Sequence, residues 1–257
     1  MGLLLSHKSK LRLYGDMLTV SDGGGGNPKG GGKRGEIQAF SDESRLRLFQ
    51  LLHQLRFEKV HFVTLTYPGD YGTWDNKFKK HLKEYRRRFE ERYGKIQAVW
   101  RLEFQKRGAP HFHIMYLDCP FIPVQEWNDL WEDITHKKYW VRAGNGLDLK
   151  VCTNANQAPL IAFYLAKYVA KVDENPCERE GVKPGRFWGK WNIEEPEPVE
   201  FEVSNSTAWH VVNTLIKERK FESYVPPEYT RCTLLGETMG GERFKNRVIG
   251  MLQMKSK

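Results

Sequence analysis

The stretch Trp100–Tyr116, W-R-L-E-F-Q-K-R-G-A-P-H-F-H-I-M-Y, decides the fold. Two runs of alternating apolar residues flank Lys106-Arg107-Gly108-Ala109-Pro110, which holds the Gly and Pro that a turn needs. The pattern predicts a β-hairpin. Side chains alternate faces along a strand, so Trp100, Leu102 and Phe104 share one side with Phe112, Ile114 and Tyr116 across the turn. The other side carries Arg101, Glu103 and Gln105 opposite His111, His113 and Met115. A turn centred near Arg107 or Gly108 sets Glu103 across from His111 or His113. One side packs; the other brings two imidazoles and a carboxylate within reach of one divalent cation.

Two His at i, i+2 on a strand point the same way. A cross-strand Glu completes a three-ligand N/O set with positions left for water and phosphate. Such a set suits Mg²⁺ or Mn²⁺, with Zn²⁺ less favoured. The competing reading is that both His are ordinary strand residues, and the matching parity of Glu103 argues against it.

Outward from the hairpin, Val60–Tyr67 (V-H-F-V-T-L-T-Y) is a β-branched and aromatic strand ended by Pro68-Gly69, apolar enough to be central. Ser41–Phe57 reads as an amphipathic helix capped by Ser41 or Asp42, with Leu48, Leu51, Leu52 and Leu55 inward. Asn76–Tyr93 is a second helix with a Phe78-Leu82-Tyr85-Phe89-Tyr93 stripe. Its other face carries Lys79, Lys80, Lys83, Arg86, Arg87 and Arg88, either a solvated face or a phosphate-contacting one. Phe121–His136 reads as a helical insertion packing through Trp127, Leu130, Trp131 and Ile134. Tyr139–Ala143 and Leu147–Cys152 read as a second hairpin about Asn145-Gly146.

Ala158–Val172, A-P-L-I-A-F-Y-L-A-K-Y-V-A-K-V, is a helix with an early Pro159. Tyr164 and Tyr168 share a face, bordered by Lys167 and Lys171. Amphipathic packing explains this segment when it is taken alone. Gly185–Asn192 (G-R-F-W-G-K-W-N) interleaves basic and aromatic residues, as stacking on bases and pairing with phosphates require; a Trp-rich loop capping a core explains it equally well. Arg186, Trp188 and Lys190, with Lys106 and Arg107 in the turn and Arg86 and Arg87 on the helix, are the DNA-binding candidates. Pro196–Val203 reads as an edge strand and Thr207–Phe221 as a helix.

The 257 residues carry 41 Lys+Arg against 32 Asp+Glu, a net charge of +9, which favours a polyanionic partner. Cys119, Cys152, Cys177 and Cys232 form no C-x-x-C pair, which argues against a zinc ribbon and a disulfide framework and fits a reducing cytoplasm. No apolar run is long enough to span a bilayer, so no membrane partner is expected. Asp22–Gly35 is glycine-rich and lacks the phosphate-loop pattern.

Together the segments have a chemistry. A cation at Glu103, His111 and His113 can polarise a phosphodiester. A tyrosine phenolate can attack it to give a phosphotyrosine that conserves the bond for rejoining. Lys167 or Lys171 would stabilise the phenolate, protonate the leaving 3′ oxygen, or steady the ion. Phe62–Pro68, then Glu103–His113, then Tyr164–Lys171 resemble the three ordered motifs of HUH endonucleases. They are most similar to the rolling-circle replication initiators of phages and plasmids, with a doubled tyrosine like the two-tyrosine gene A branch. The resemblance spans roughly residues 59–191.

It implies an α+β fold with a five-stranded antiparallel sheet of RRM-like palm type, flanked by helices, with the His strand central. It implies His111, His113 and Glu103 as metal ligands, Tyr164 and Tyr168 as nucleophiles in unassigned order, and Lys167 and Lys171 as the motif lysines. It also implies an origin hairpin or single-stranded DNA as substrate, and host replication proteins such as a helicase as partners. No Walker motif follows the palm, unlike initiators with a fused ATPase. Residues 1–40 are expected to be a flexible N-terminal segment with a Gly-rich linker, 41–221 the endonuclease domain, and 222–257 a basic tail or small extension. The rivals are an HUH transposase, a relaxase (disfavoured because a third His is lacking) and a non-catalytic nucleic-acid-binding module on an RRM-like sheet.

Overall fold

The computed structural model describes residues 8–22, 35–37, 39–67, 77–106, 108–135, 147–152, 183–217, 223–224, 232–235 and 241–255. They divide between two compact units: residues 35–48 and 56–194 form one, and residues 1–34, 49–55 and 195–257 the other.

The first unit is built on a five-stranded antiparallel sheet: β3 (Val60–Thr66), β4 (Ala98–Phe104), β5 (Pro110–Leu117), β6 (Leu147–Cys152) and β7 (Trp188–Trp191), in spatial order β6-β3-β5-β4-β7. The expected α+β architecture is present, and the His strand β5 lies at its centre. The hairpin closes where expected. Gly108 takes φ of 80°, a value that L side chains resist, and Gln105 N–H donates to the Ala109 carbonyl at 2.9 Å.

One face of this sheet is the packing face. Leu102, Phe104, Phe112, Ile114 and Tyr116 are all buried there. Helix α2 (Lys77–Tyr93) lays Phe78 against Phe104 and Phe112, and Phe89 against Tyr116. Helix α3 (Val124–Thr135) brings Trp127 to Tyr116 and Trp131 to Tyr67. The helix expected over Phe121–His136 is thus present as α3, packed through Trp127, Leu130, Trp131 and Ile134, and it supplies two of the largest buried side chains of the unit. Burying each such aromatic stabilises by about 2–3 kcal/mol, which fixes α2 and α3 to this side.

The packing face also holds His61, buried against Trp127, with its Nδ1 lacking a hydrogen-bond partner among the described residues. Burial, helped by the Lys59 charge, holds its pKa below the ordinary histidine value. The folded protein thus keeps His61 neutral where the unfolded chain, titrating near 6.5, takes a proton. Stability is complete above about 6.5 and falls as the pH drops toward the lower folded value. Urea unfolding compared at about pH 7.5 and about pH 5 should show wild type losing more stability than His61→Leu.

The second unit gathers described residues from both ends of the chain. Within residues 1–40, expected as a flexible segment whose first 21 residues could hold a short strand, Lys8–Tyr14 (β1) and Met17–Asp22 (β2) pair as a tight hairpin with Gly15 at φ of 62°. Alternation in K-S-K-L-R-L-Y buries Leu11 and Leu13, which supplies the reason. The expected edge strand exists as β8 (Val199–Ser204), and it pairs with β1 in a second sheet, of order β8-β1-β2-β10-β9. Here β9 is Ser223–Tyr224 and β10 is Cys232–Leu235. Helices α4 (Asn205–Lys217) and α5 (Gly241–Lys255) cover it, with Val211, Leu215, Phe244 and Val248 buried among Leu11, Leu13 and Leu18. Residues 195–217 therefore group with the N-terminal hairpin, and the described residues of the C-terminal region form two short strands and a helix, in keeping with the small extension expected there. Helix α1 (Asp42–Gln54) begins in the first unit, capped by Ser41, whose hydroxyl accepts the Ser44 N–H at 3.3 Å, and its last turns count with the second unit.

Candidate metal and nucleic-acid site

Register converts the hairpin into a site. Residues paired across antiparallel strands share a face. His111 pairs with Thr66 on β3 and Glu103 on β4; His113 pairs with Thr64 and Arg101. Arg101 in turn pairs with Trp188 on β7, and Val99 with Lys190. Thr64, Thr66, His111, His113, Glu103, Arg101, Trp188 and Lys190 thus lie on the sheet side away from α2 and α3.

Glu103 lies directly across from His111 but bonds diagonally. Its Oε2 is 3.0 Å from His113 Nε2, while its Oε1 accepts from Arg101 Nη1 at 2.8 Å. Burial pushes the Glu103 carboxyl up. The hydrogen bond from His113 and the charges of Arg101, His113 and His111 outweigh that and leave it below its ordinary value, so it stays ionised.

The imidazoles are held from behind. Thr64 Oγ1 lies 3.2 Å from His113 Nδ1, and Thr66 Oγ1 lies 2.9 Å from His111 Nδ1. Phe62 stacks on the His113 ring at 5.4 Å with a 13° tilt. The two His rings meet edge-on at 4.5 Å. A carboxylate only accepts, so His113 Nε2 carries a proton, and when the ring is neutral Thr64 donates to Nδ1. A hydroxyl can also accept, so the opposite tautomer, with Nε2 free to ligate, keeps its partner. Threonine hydroxyls behind both rings therefore do the orienting that metal-binding histidines require.

Do these residues fit a divalent ion? Two ligands about 2.1 Å from one octahedral ion, at right angles, stand about 3.0 Å apart. Glu103 Oε2 and His113 Nε2 already have that separation, and the N/N/O donor set suits Mg²⁺ or Mn²⁺. Among the described residues, however, no three His, Cys, Asp or Glu side chains stand grouped around a common point. Glu103 hydrogen-bonds directly to His113 instead, so the residues fit as donors, and an ion would have to displace the proton between them.

The other sequence candidates are placed less uniformly. Trp188 and Lys190 share the His side of the sheet, and the Trp188 indole donates to Ser44 Oγ at 3.0 Å. Lys106 lies in the hairpin turn, next to the site strands. Arg186 is exposed, and its carbonyl accepts from Lys79 Nζ. Arg86 and Arg87 belong to α2, on the far side of the sheet. Arg86 pairs with Glu90 at 2.7 Å and lies over Trp191; Arg87 pairs with Glu84 and Glu91. The arginine face of α2 is therefore a ladder of ion pairs within the helix, and it is not brought together with the imidazoles. Lys79 departs from that face altogether. It tucks over Trp100 at 4.5 Å, and burial brings its pKa down to about 7. Tyr164, Lys167, Tyr168, Lys171 and Arg107 lie outside the described residues, as does the Tyr139–Ala143 half of the second expected hairpin.

Reading the sequence alone missed Thr64, Thr66, Phe62 and Arg101 as parts of the site. Their parity along β3 and β4 was legible, but the register that sets them beside the histidines was not.

Residues 60–173 match the family model of Replication-associated protein ORF2/G2P. That span starts with β3 and contains Glu103, His111 and His113 as well as Tyr164 and Tyr168; Arg186, Trp188 and Lys190 lie beyond it. No curated protein and no solved structure matches the chain. Over residues 60–173, less than half of the chain, the sequence is similar to replication-associated proteins. Among the described residues no helix is long and apolar enough to cross a membrane.

Proposed function

We propose that this protein nicks and rejoins single-stranded DNA through a covalent 5′-phosphotyrosine, initiating rolling-circle replication of a phage or plasmid in its host's cytoplasm. One observation carries the reading. Within the span matching the replication family, an ionised Glu103 stands 3.0 Å from His113, beside His111, on the side of a palm-like sheet away from α2 and α3.

Glu103, His111 and His113 would hold Mg²⁺ or Mn²⁺. The bound ion supplies positive charge to the non-bridging oxygens as charge grows in the transition state. Everything else belongs to the chain. Thr64 and Thr66 keep the imidazoles turned outward. Tyr164 or Tyr168 gives its phenol proton to a base and attacks phosphorus. An O–P bond forms to the tyrosine, the P–O3′ bond breaks, and the 3′ oxygen leaves with a proton, for which Lys167 or Lys171 is the donor. Attack by a free 3′ hydroxyl reverses the step and joins strands. Trp188, Lys190 and Lys106 would contact the strand by stacking and charge, and a host helicase would open the duplex.

A second reading has its own support. The direct Glu103–His113 hydrogen bond would equally complete a purely structural pair, leaving a nucleic-acid-binding module without catalysis. An HUH transposase would use the same chemistry on other ends. Incubation with a labelled single-stranded library and Mn²⁺ separates the classes. We expect a protein–DNA adduct that survives denaturant; salt-sensitive binding without any adduct would favour the module.

A further inference from the structure

We propose that Arg101 is a positioning residue that presents Glu103 to the metal, an inference that rests on the metal-dependent reading above. Arg101 is 1% exposed, so its guanidinium cannot touch a phosphate in solution. Its place is nonetheless specific. It pairs across the strands with His113 on one side and Trp188 on the other. Its guanidinium lies 5.1 Å from the Phe40 ring centroid, and Phe40 stacks on Phe187. Its Nη1 holds Glu103 Oε1 at 2.8 Å.

A glutamate carboxylate, three bonds from its Cα, can rotate freely. With one oxygen tied to a rigid, buried guanidinium, the other has a single direction left, and it points at His113 Nε2. A charge this deep in the sheet would be costly without its partner, and Glu103 is that partner. Arg101 therefore acts on the metal only through Glu103. The aromatic pair Phe40–Phe187 holds the guanidinium from the other side.

The test is a double-mutant cycle read by Mn²⁺ affinity, using electron paramagnetic resonance of free Mn²⁺ on the full chain. Arg101→Met and Arg101→Lys should each weaken Mn²⁺ binding about tenfold or more, in the range of outer-shell partners. In a Glu103→Gln background the same changes should have no further effect, because the residue they act through is gone. Arg101→Lys keeps the charge and guards against a Met variant that fails to fold, with circular dichroism confirming both. Unchanged or tightened binding in the single variants overturns the positioning role, as does a loss that persists in Glu103→Gln. Wild type that binds no Mn²⁺, or binds it equally after His111→Ala and His113→Ala, overturns the metal reading itself and the inference with it.

Discussion

Replacing Tyr164 and Tyr168 together by Phe abolishes the covalent adduct while DNA binding survives. The substitution deletes one oxygen from each ring and keeps its shape and apolar surface. In the proposed reaction the phenol oxygen forms the new bond to phosphorus, and nothing else in Phe can replace it. Loss of a nucleophile that acts with its partners as a unit costs on the order of a thousandfold or more. Denaturing gels with end-labelled single-stranded DNA and Mn²⁺ measure it, and filter binding in parallel measures affinity. The single variants show which hydroxyl cuts: the one whose loss alone removes the first adduct is the initiating nucleophile. An adduct that persists in the double variant assigns the chemistry to another residue.

His111→Ala and His113→Ala each remove cleavage by more than about 100-fold, beyond what loss of an outer-shell partner typically costs. The fold should survive, for a physical reason visible in the sheet. Both rings point to the face away from α2 and α3, and the core residues beside them, Phe112 and Ile114, point to the opposite face. What the variants lose is a ring nitrogen held outward by a threonine hydroxyl. Thermal unfolding should therefore shift little while Mn²⁺-dependent cleavage disappears. A large drop in melting temperature with either variant would mark the Glu103–His113 pair as structural. The two outcomes are distinguished by one calorimetric scan beside one activity assay.

How much of this was in the sequence follows from which interactions are local. The alternation of W-R-L-E-F and H-F-H-I-M-Y, with a Gly and a Pro between, set the hairpin, its packing face and its polar face. These depend on the two-residue repeat of a strand and on a turn that needs positive φ at Gly108. Helical spacing of Phe78, Leu82, Tyr85 and Phe89, and of Trp127, Leu130, Trp131 and Ile134, set α2 and α3 and their buried stripes. The three ordered motifs carried the family resemblance, and the family match covers the span that holds them.

Register is different, because it couples residues far apart in the chain. Only the tertiary structure set Thr64 and Thr66 behind the imidazoles, aimed Glu103 diagonally at His113 rather than at His111 opposite it, and buried Arg101 beside that carboxylate. It alone sent the arginine ladder of α2 to the far face. It also joined Lys8–Tyr14 to Val199–Ser204, a pairing between distant segments that no local pattern could specify. A strand's own residues decide which way its side chains alternate. Which neighbours those side chains meet is decided by the free energy of the whole sheet.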